Sequence, residues 1–191
     1  MRRWSRALAA LAGAGLAATT VPAGAAATNP VAAVSCHGGW GSLPKAGRES
    51  RYKPLTDIRA GHHACYDRLV FDVPRAGGQP IGYRVGYVDK FYQDGSGEVI
   101  PVAGGAILEV RVAAPSYDPE TGRPTYPGRA GRPLRGVDVS GYRTFRDTRY
   151  GSSFEGDTQI ALGVRARLPF RVFQWHNRLV VDVAHAWGPS R

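Results

Sequence analysis

Apolar and polar residues alternate along this chain in short runs, and almost nowhere does it keep the three-to-four-residue spacing of an amphipathic helix. The clearest run is 66–73, where Leu69, Phe71 and Val73 alternate with Arg68, Val70 and Asp72, the period of a half-buried strand. Similar patterns predict strands over 55–59, 81–89, 99–102, 106–113, 137–145, 158–166, 170–175 and 178–183. Asp94-Gly95-Ser96-Gly97 supplies a turn, and His176-Asn177 a two-residue hairpin connection. Between 115 and 133 eight prolines and glycines interrupt any ladder, giving a long loop that is either functional or solvated and mobile. A Gly/Ser-rich corner is expected between 145 and 158. The fold class read from this pattern is all-β: a β-sandwich of short, mostly antiparallel strands with a disulfide-tethered N-terminal arm.

One internal echo stands out. Arg68-Leu-Val-Phe-Asp-Val73 and Arg178-Leu-Val-Val-Asp-Val183 differ at a single position. Two sheets of similar construction, or chance likeness between valine-rich strands, both account for it.

The ends divide differently. Arg2, Arg3 and Arg6 precede an apolar stretch from Ala7 to Val21, and Ala25 and Ala27 fit a small-x-small cleavage site, so 1–27 reads as a secretory signal peptide. A retained anchor is the rival reading, against which stands a stretch shorter than the roughly 20 residues a spanning helix needs. The remaining divisions are an extended arm over 28–54, the β-domain over 55–186 and a tail over 187–191. Removing 27 of 191 residues leaves 164 and takes away three arginines, lowering the formal charge from +10 to +7. No later apolar run is long enough to span a membrane.

Export sets how Cys36 and Cys65 are read. They are the only two cysteines, and outside the cell they make a disulfide that holds the arm and Trp40 to the domain. Closing a loop of about 30 residues contributes roughly 3 to 4 kcal/mol in the chain-entropy account. Lipidation at Cys36 and a nucleophilic Cys65 beside His62 and His63 are the competing readings.

The segments Gly61-His62, Tyr66-Asp67-Arg68-Leu-Val-Phe-Asp72, Tyr83-Arg-Val-Gly-Tyr-Val-Asp89, Asp94-Gly-Ser-Gly97, Phe154-Glu155-Gly156, Leu162-Gly163-Val164, Pro169-Phe170-Arg171-Val172 and Arg178-Leu-Val-Val-Asp182 together resemble the AMIN-like domain of secreted and lipid-anchored actinobacterial proteins, related to the AMIN domain that targets cell-wall amidases. The likeness covers 55–186. It departs from the AMIN pattern where His176-Asn177-Arg178 lacks the usual Asn-Pro, and no amidase catalytic domain is expected within residues 28–191. The resemblance implies a β-sandwich with a cell-envelope role such as peptidoglycan binding, and it brings no catalytic residues.

Chemistry read from the residues agrees with a non-enzyme. The histidines His37, His62, His63, His176 and His185 show no compact metal-ligand spacing, so no metal or cofactor is expected. Asp72, Asp89, Glu109, Glu155 and Asp182 could supply a hydrolase's acid pair only if the fold brought two of them together. Of the 22 basic residues left after residue 27, 19 are arginines, suited to bidentate contact with carboxylates and phosphates. Export directs them to envelope polyanions and away from nucleic acid.

The function expected is therefore a secreted, non-catalytic module, extracellular or cell-wall associated, that binds peptidoglycan or another anionic envelope glycan. Trp40, Tyr117, Arg123, Tyr126 and Arg129 are its candidate ligand-binding residues. The alternatives are a protein-interaction module that recruits a secreted enzyme through an exposed sheet edge, or an envelope hydrolase with an unrecognised carboxylate pair.

Overall fold

The structure, a computed structural model, describes residues 39–47 and 53–188. In it the alternating segments become β1 (Lys45–Gly47), β2 (Asp57–His62), β3 (Tyr66–Asp72), β4 (Tyr83–Val88), β5 (Ala106–Val112), β6 (Phe145–Phe154), β7 (Asp157–Val164), β8 (Phe170–Trp175) and β9 (Arg178–Ala184). One sheet has five strands in the order β1-β4-β5-β7-β6, the other four in the order β2-β3-β9-β8, and every pairing is antiparallel.

Alternation places one side of each strand in a shared core. Leu69 and Phe71 of β3 and Leu179, Val181 and Val183 of β9 pack in one apolar cluster with Leu108 and Val110 of β5 and Ile160 and Leu162 of β7. Each such side chain contributes roughly 1.5 to 3 kcal/mol by leaving water. The arm completes the sandwich. Gly41 exchanges backbone hydrogen bonds of 3.2 and 2.9 Å with Phe170 of β8, and four residues later β1 begins its pairing with β4, so this short segment joins the edges of both sheets. Both sides of the junction gain from it, since the Lys45 ammonium lies 4.5 Å from the centre of the buried Phe170 ring.

Several strand expectations need correction. The arm contains β1, too short to show a period. Residues 99–102 form no strand, only a bridge between Val99 and Tyr92. The expected strand over 137–145 is a set of turns: Asp138 accepts from the Ser140 N–H at 2.8 Å, and Gly136 and Gly141 take φ of 76° and 81°. The expected corner after 145 is instead β6, the longest strand. Register shifts between Phe145 and Asp147 and between Tyr150 and Ser152 put Phe145 and Thr148, three apart, both in the interior. Bulges of this kind erase the two-residue period by which strands are recognised.

The long 115–133 loop is fastened at several points. Thr125 Oγ1 donates to Leu55 O at 2.6 Å, the Gly131 N–H donates to Tyr150 O at 2.9 Å, and Tyr126 is buried in the core. The segment 89–105 between β4 and β5 lies on the outer face of the five-stranded sheet, where Phe91, Ile100 and Ala161 make a second small apolar cluster. That approach needs glycine beneath it. A Cβ at Gly151 would come within 2.7 Å of the Phe91 ring, and one at Gly163 would collide with the Ala103 carbonyl.

Four expectations fall wholly or partly outside the described residues: the signal peptide over 1–27, the arm at 28–38 and 48–52, the Cys36 end of the Cys36–Cys65 pairing, and the tail at 189–191. Cys65 itself lies in the turn between β2 and β3, where its carbonyl accepts the His185 N–H at 2.9 Å. It is not a free cysteine.

Candidate functional site

The outer face of the four-stranded sheet is built by the sequence echo. The two echoed segments are neighbours in one sheet, not counterparts in two, and they run antiparallel about Val70 and Val180, which face each other. Antiparallel pairing sets Arg68 opposite Asp182 and Asp72 opposite Arg178, so each strand supplies one arginine and one carboxylate to a reciprocal pair of ion pairs.

Both carboxylates hold a second arginine. Asp182, fully buried, accepts from Arg68 Nε at 2.6 Å and Nη2 at 2.9 Å and from Arg171 Nε of β8 at 2.8 Å. Asp72 accepts from Arg59 Nε and Nη2 of β2 at 2.8 and 2.6 Å and from Arg178 Nε at 2.8 Å. Hydrogen bonding to Asp182 raises the Arg68 pKa above its ordinary value, with burial opposing.

Aromatic rings stand between and above these arginines. The Arg171 guanidinium lies 4.5 Å from the Trp40 ring centre, 5.1 Å from Tyr66 and 5.5 Å from Phe173; Arg68 lies 5.0 Å from Tyr66 and 5.4 Å from Phe173. Arg178 lies 5.6 Å from Trp175, whose residue surface is 55% exposed. His63 stacks on Tyr66 at 4.5 Å, and burial, then the nearby Arg68 charge, lower its pKa below the ordinary histidine value. At the Arg178 end, Thr56, Asp57, Arg59, Asp72, Pro74, Asn177 and Arg178 line an open groove of about 450 Å³. Four arginines, three carboxylates and five aromatic or imidazole rings thus share a face that can stack on flat apolar surfaces and hydrogen-bond to acidic groups.

Of the residues expected to bind ligand, Trp40 belongs to this face. Its position follows from the adjacent Gly41–Phe170 bridge, and its ring centre is 5.8 Å from that of Tyr66. Tyr117, Arg123, Tyr126 and Arg129 sit on the 115–133 loop. Arg123 and Arg129 are exposed, Tyr117 is half-buried and pairs with Pro124, and Tyr126 is 3% exposed with its hydroxyl donating to Arg135 O at 3.2 Å. Sequence reasoning passed over Tyr66, Arg171, Phe173, Trp175 and Arg178. The signal was the polar half of the alternation, which places Arg171, Phe173 and Trp175 together on one side of β8.

Of the carboxylates considered for acid–base work, Asp72, Asp182 and Glu109 are engaged, and Asp89 shares a groove with Glu109. Asp72 and Asp182 are held by arginines as above. Glu109 accepts from Arg111 Nε at 2.7 Å and Gln159 Nε2 at 2.8 Å; with Asp89, Lys90, Tyr92, Asp94 and Arg111 it lines a groove of about 520 Å³ on the other sheet. Glu155 occupies the β6–β7 turn. Among the described residues no group of three or more His, Cys, Asp or Glu could hold a metal ion.

Fold and face together define an antiparallel two-sheet β-sandwich whose distinguishing surface is the outside of a sheet. A model of the AMIN-like domain family matches residues 53–185, and the chain belongs to that family. AMIN-like domains are targeting modules associated with the cell envelope and are not a catalytic family. No curated protein and no solved structure matches the chain. Among the described residues, no helix is long and apolar enough to cross a membrane.

Proposed function

We propose that this protein is a secreted, non-catalytic module that binds peptidoglycan or another anionic glycan of the cell envelope through the outer face of its four-stranded sheet. The observation that carries this reading is the set of rings and guanidiniums on that face, with Trp40 brought to it by the arm. Glycan rings stack on aromatic side chains, and arginine forks donate paired hydrogen bonds to carboxylates or phosphates. The proposal includes a signal peptide over 1–27, an arm over 28–54, the β-domain over 55–186 and a tail over 187–191. It also includes a Cys36–Cys65 disulfide: Cys36 is four residues before Trp40 and Cys65 is next to Tyr66, so the bridge would hold these two rings together.

Co-sedimentation of the secreted protein with purified cell wall across a salt series tests the function. Retention at low salt that weakens as salt rises is the expected result, because partly exposed arginine contacts are screened. No retention at any salt rejects the reading. Thiol titration of the denatured secreted protein checks the bridge: free thiol should be found only after reduction.

A further inference from the structure

The four arginines of the face are not equivalent, although each touches a carboxylate. Arg68 and Arg59 each give Asp182 or Asp72 the side-on pair Nε and Nη2, and Arg68 Nη2 also donates to the Tyr66 hydroxyl at 3.2 Å. Both Nη2 hydrogens of Arg68 are thereby engaged, so it keeps no unspent end-on pair, whereas Arg59 has used only its side-on edge and retains the Nη1–Nη2 edge on a side chain 49% exposed. Arg171 and Arg178 each give only Nε, at 2.8 Å, and no described group accepts from their Nη1 or Nη2. Their side chains are 25% and 43% exposed. A guanidinium anchored through Nε and open at both terminal nitrogens is a preset fork for a planar carboxylate or for two phosphate oxygens.

The pseudo-symmetric pairing fixes how these forks are spaced. Arg171 attaches at Asp182 and Arg178 lies four residues away along β9, about 14 Å at roughly 3.4 Å per residue. Phe173 faces Val180 between them, and Trp40 and Trp175 stand at the two ends.

We infer that Arg171 and Arg178 are two separate anion-binding forks that read a polymer carrying repeated acidic groups, with Arg59, which shares Asp72 with Arg178, adding to the second of them, while Arg68 is a positioning residue that holds Asp182 in place. The inference rests on the glycan-binding reading and narrows it: the acid, not the neutral sugar, is recognised, and at two points. The acid is a carboxylate or a phosphate, and the fork suits both.

Arginine-to-lysine variants keep charge and remove the fork, so they separate the two roles. Binding to polygalacturonate and to poly(glycerol phosphate) is measured for wild type, Arg171→Lys, Arg178→Lys, Arg68→Lys and Arg59→Lys, with melting curves to confirm folding. At least one polymer should bind wild type, and which one identifies the acid. Arg171→Lys and Arg178→Lys should each weaken that binding about tenfold, the loss of one charge-assisted hydrogen bond. Arg68→Lys, where it melts like wild type, should weaken it less than Arg171→Lys does, because Arg68 has no free fork to lose, and Arg59→Lys should have an intermediate effect. Monomeric galacturonate or glycerol phosphate should bind far more weakly than its polymer, because only the polymer engages both forks. Equal losses in all four variants would mean that charge alone matters and would overturn the inference. Binding of a neutral N-acetylglucosamine hexamer as tight as either polymer, or binding of neither polymer, would also overturn it. Wall co-sedimentation by the same wild-type sample then shows separately whether the broader function stands.

Discussion

Outward positions on β6 and β7 of the five-stranded sheet include the small Gly151, Ala161 and Gly163, whereas those on the four-stranded sheet include Tyr66, Arg68, Arg171, Phe173, Trp175 and Arg178. Where the outward residues are small, the 89–105 segment can lie on the sheet and bury Phe91 and Ile100 against it. Where they are long and charged, the chain covers the sheet only at Trp40, and arginines and rings satisfy one another at the surface. The size of the residues that point away from the core thus separates the face that carries a second small core from the one that stays open. The polar networks follow the same division. Arg111 on the covered sheet spends its nitrogens on Glu109 and on both oxygens of Asp94, while Arg171 on the open sheet keeps its terminal pair.

The largest expected effect comes from undoing the cover. Phe91 is fully buried, so Phe91→Ala removes a large ring and leaves a cavity, at a cost of about 3 to 5 kcal/mol. Chemical denaturation should show that loss, while cell-wall retention of the protein that stays folded is unchanged. Loss of wall binding in a folded Phe91→Ala protein would break the comparison, because it would make the covered face part of the site.

Next come the two carboxylates at the centres of their networks. The Asp182 side chain is fully buried and the Asp94 side chain 24% exposed. Asp182→Asn leaves Arg68 and Arg171 without their shared anion and should cost about 2 to 3 kcal/mol, below the full buried-pair value because both arginines are partly solvated. It should also weaken wall binding, since it frees the Arg171 side chain from its anchor. Asp94→Asn should cost about 1 kcal/mol or less and leave binding intact. Equal stability losses measured by thermal melting would show that the two networks are not distinguished by burial.

Legibility in the sequence follows the same physics. Strands buried on one side and regular in period were readable: 170–175 matches β8, and 66–73 and 178–183 match β3 and β9 within a residue. Phe145–Phe154 was hidden because its bulges break the period and its interior includes Thr148 as well as Phe145 and Tyr150. The arm pairing was hidden because three residues carry no pattern. For the candidate site, Trp40 was readable as an aromatic in a glycine-rich arm, but a loop rich in tyrosine and arginine drew attention to Tyr126, which the fold buries. The echo was visible, yet the fact that its two copies pair with each other, and so assemble four charges, is a matter of topology that no local pattern contains.

Tyr126 offers a test of that division between loop and face. Burial raises its pKa to about 12, with the hydrogen bond to Arg135 O opposing. A tyrosine whose folded pKa lies above its unfolded value of about 10 adds stability that is complete below pH 10 and is lost as pH rises through about 12. Tyr126→Phe should therefore cost about 1 kcal/mol near neutral pH and flatten part of the decline in stability above pH 10, in denaturation curves taken as a pH series. Tyr126 would count as a ligand contact instead if its phenolate absorbance appeared near pH 10 and the substitution reduced wall retention.

The smallest effects on stability, and the sharpest on the comparison, belong to the exposed aromatics. Trp175 on the open face and Tyr92 on the covered one are 55% and 50% exposed, and neither carries a core contact whose loss would matter to folding. Trp175→Ala and Tyr92→Ala should each change stability by no more than about 0.5 kcal/mol. Their effects on binding should differ: the first removes a stacking surface beside the Arg178 fork, the second a ring on the sheet whose polar groups are already paired. Since charge is unchanged in both, a retention loss confined to Trp175→Ala that persists at high salt assigns the aromatic contribution to the four-stranded face. The same loss from Tyr92→Ala would place a ligand across the 520 Å³ groove of the other sheet and reverse the assignment.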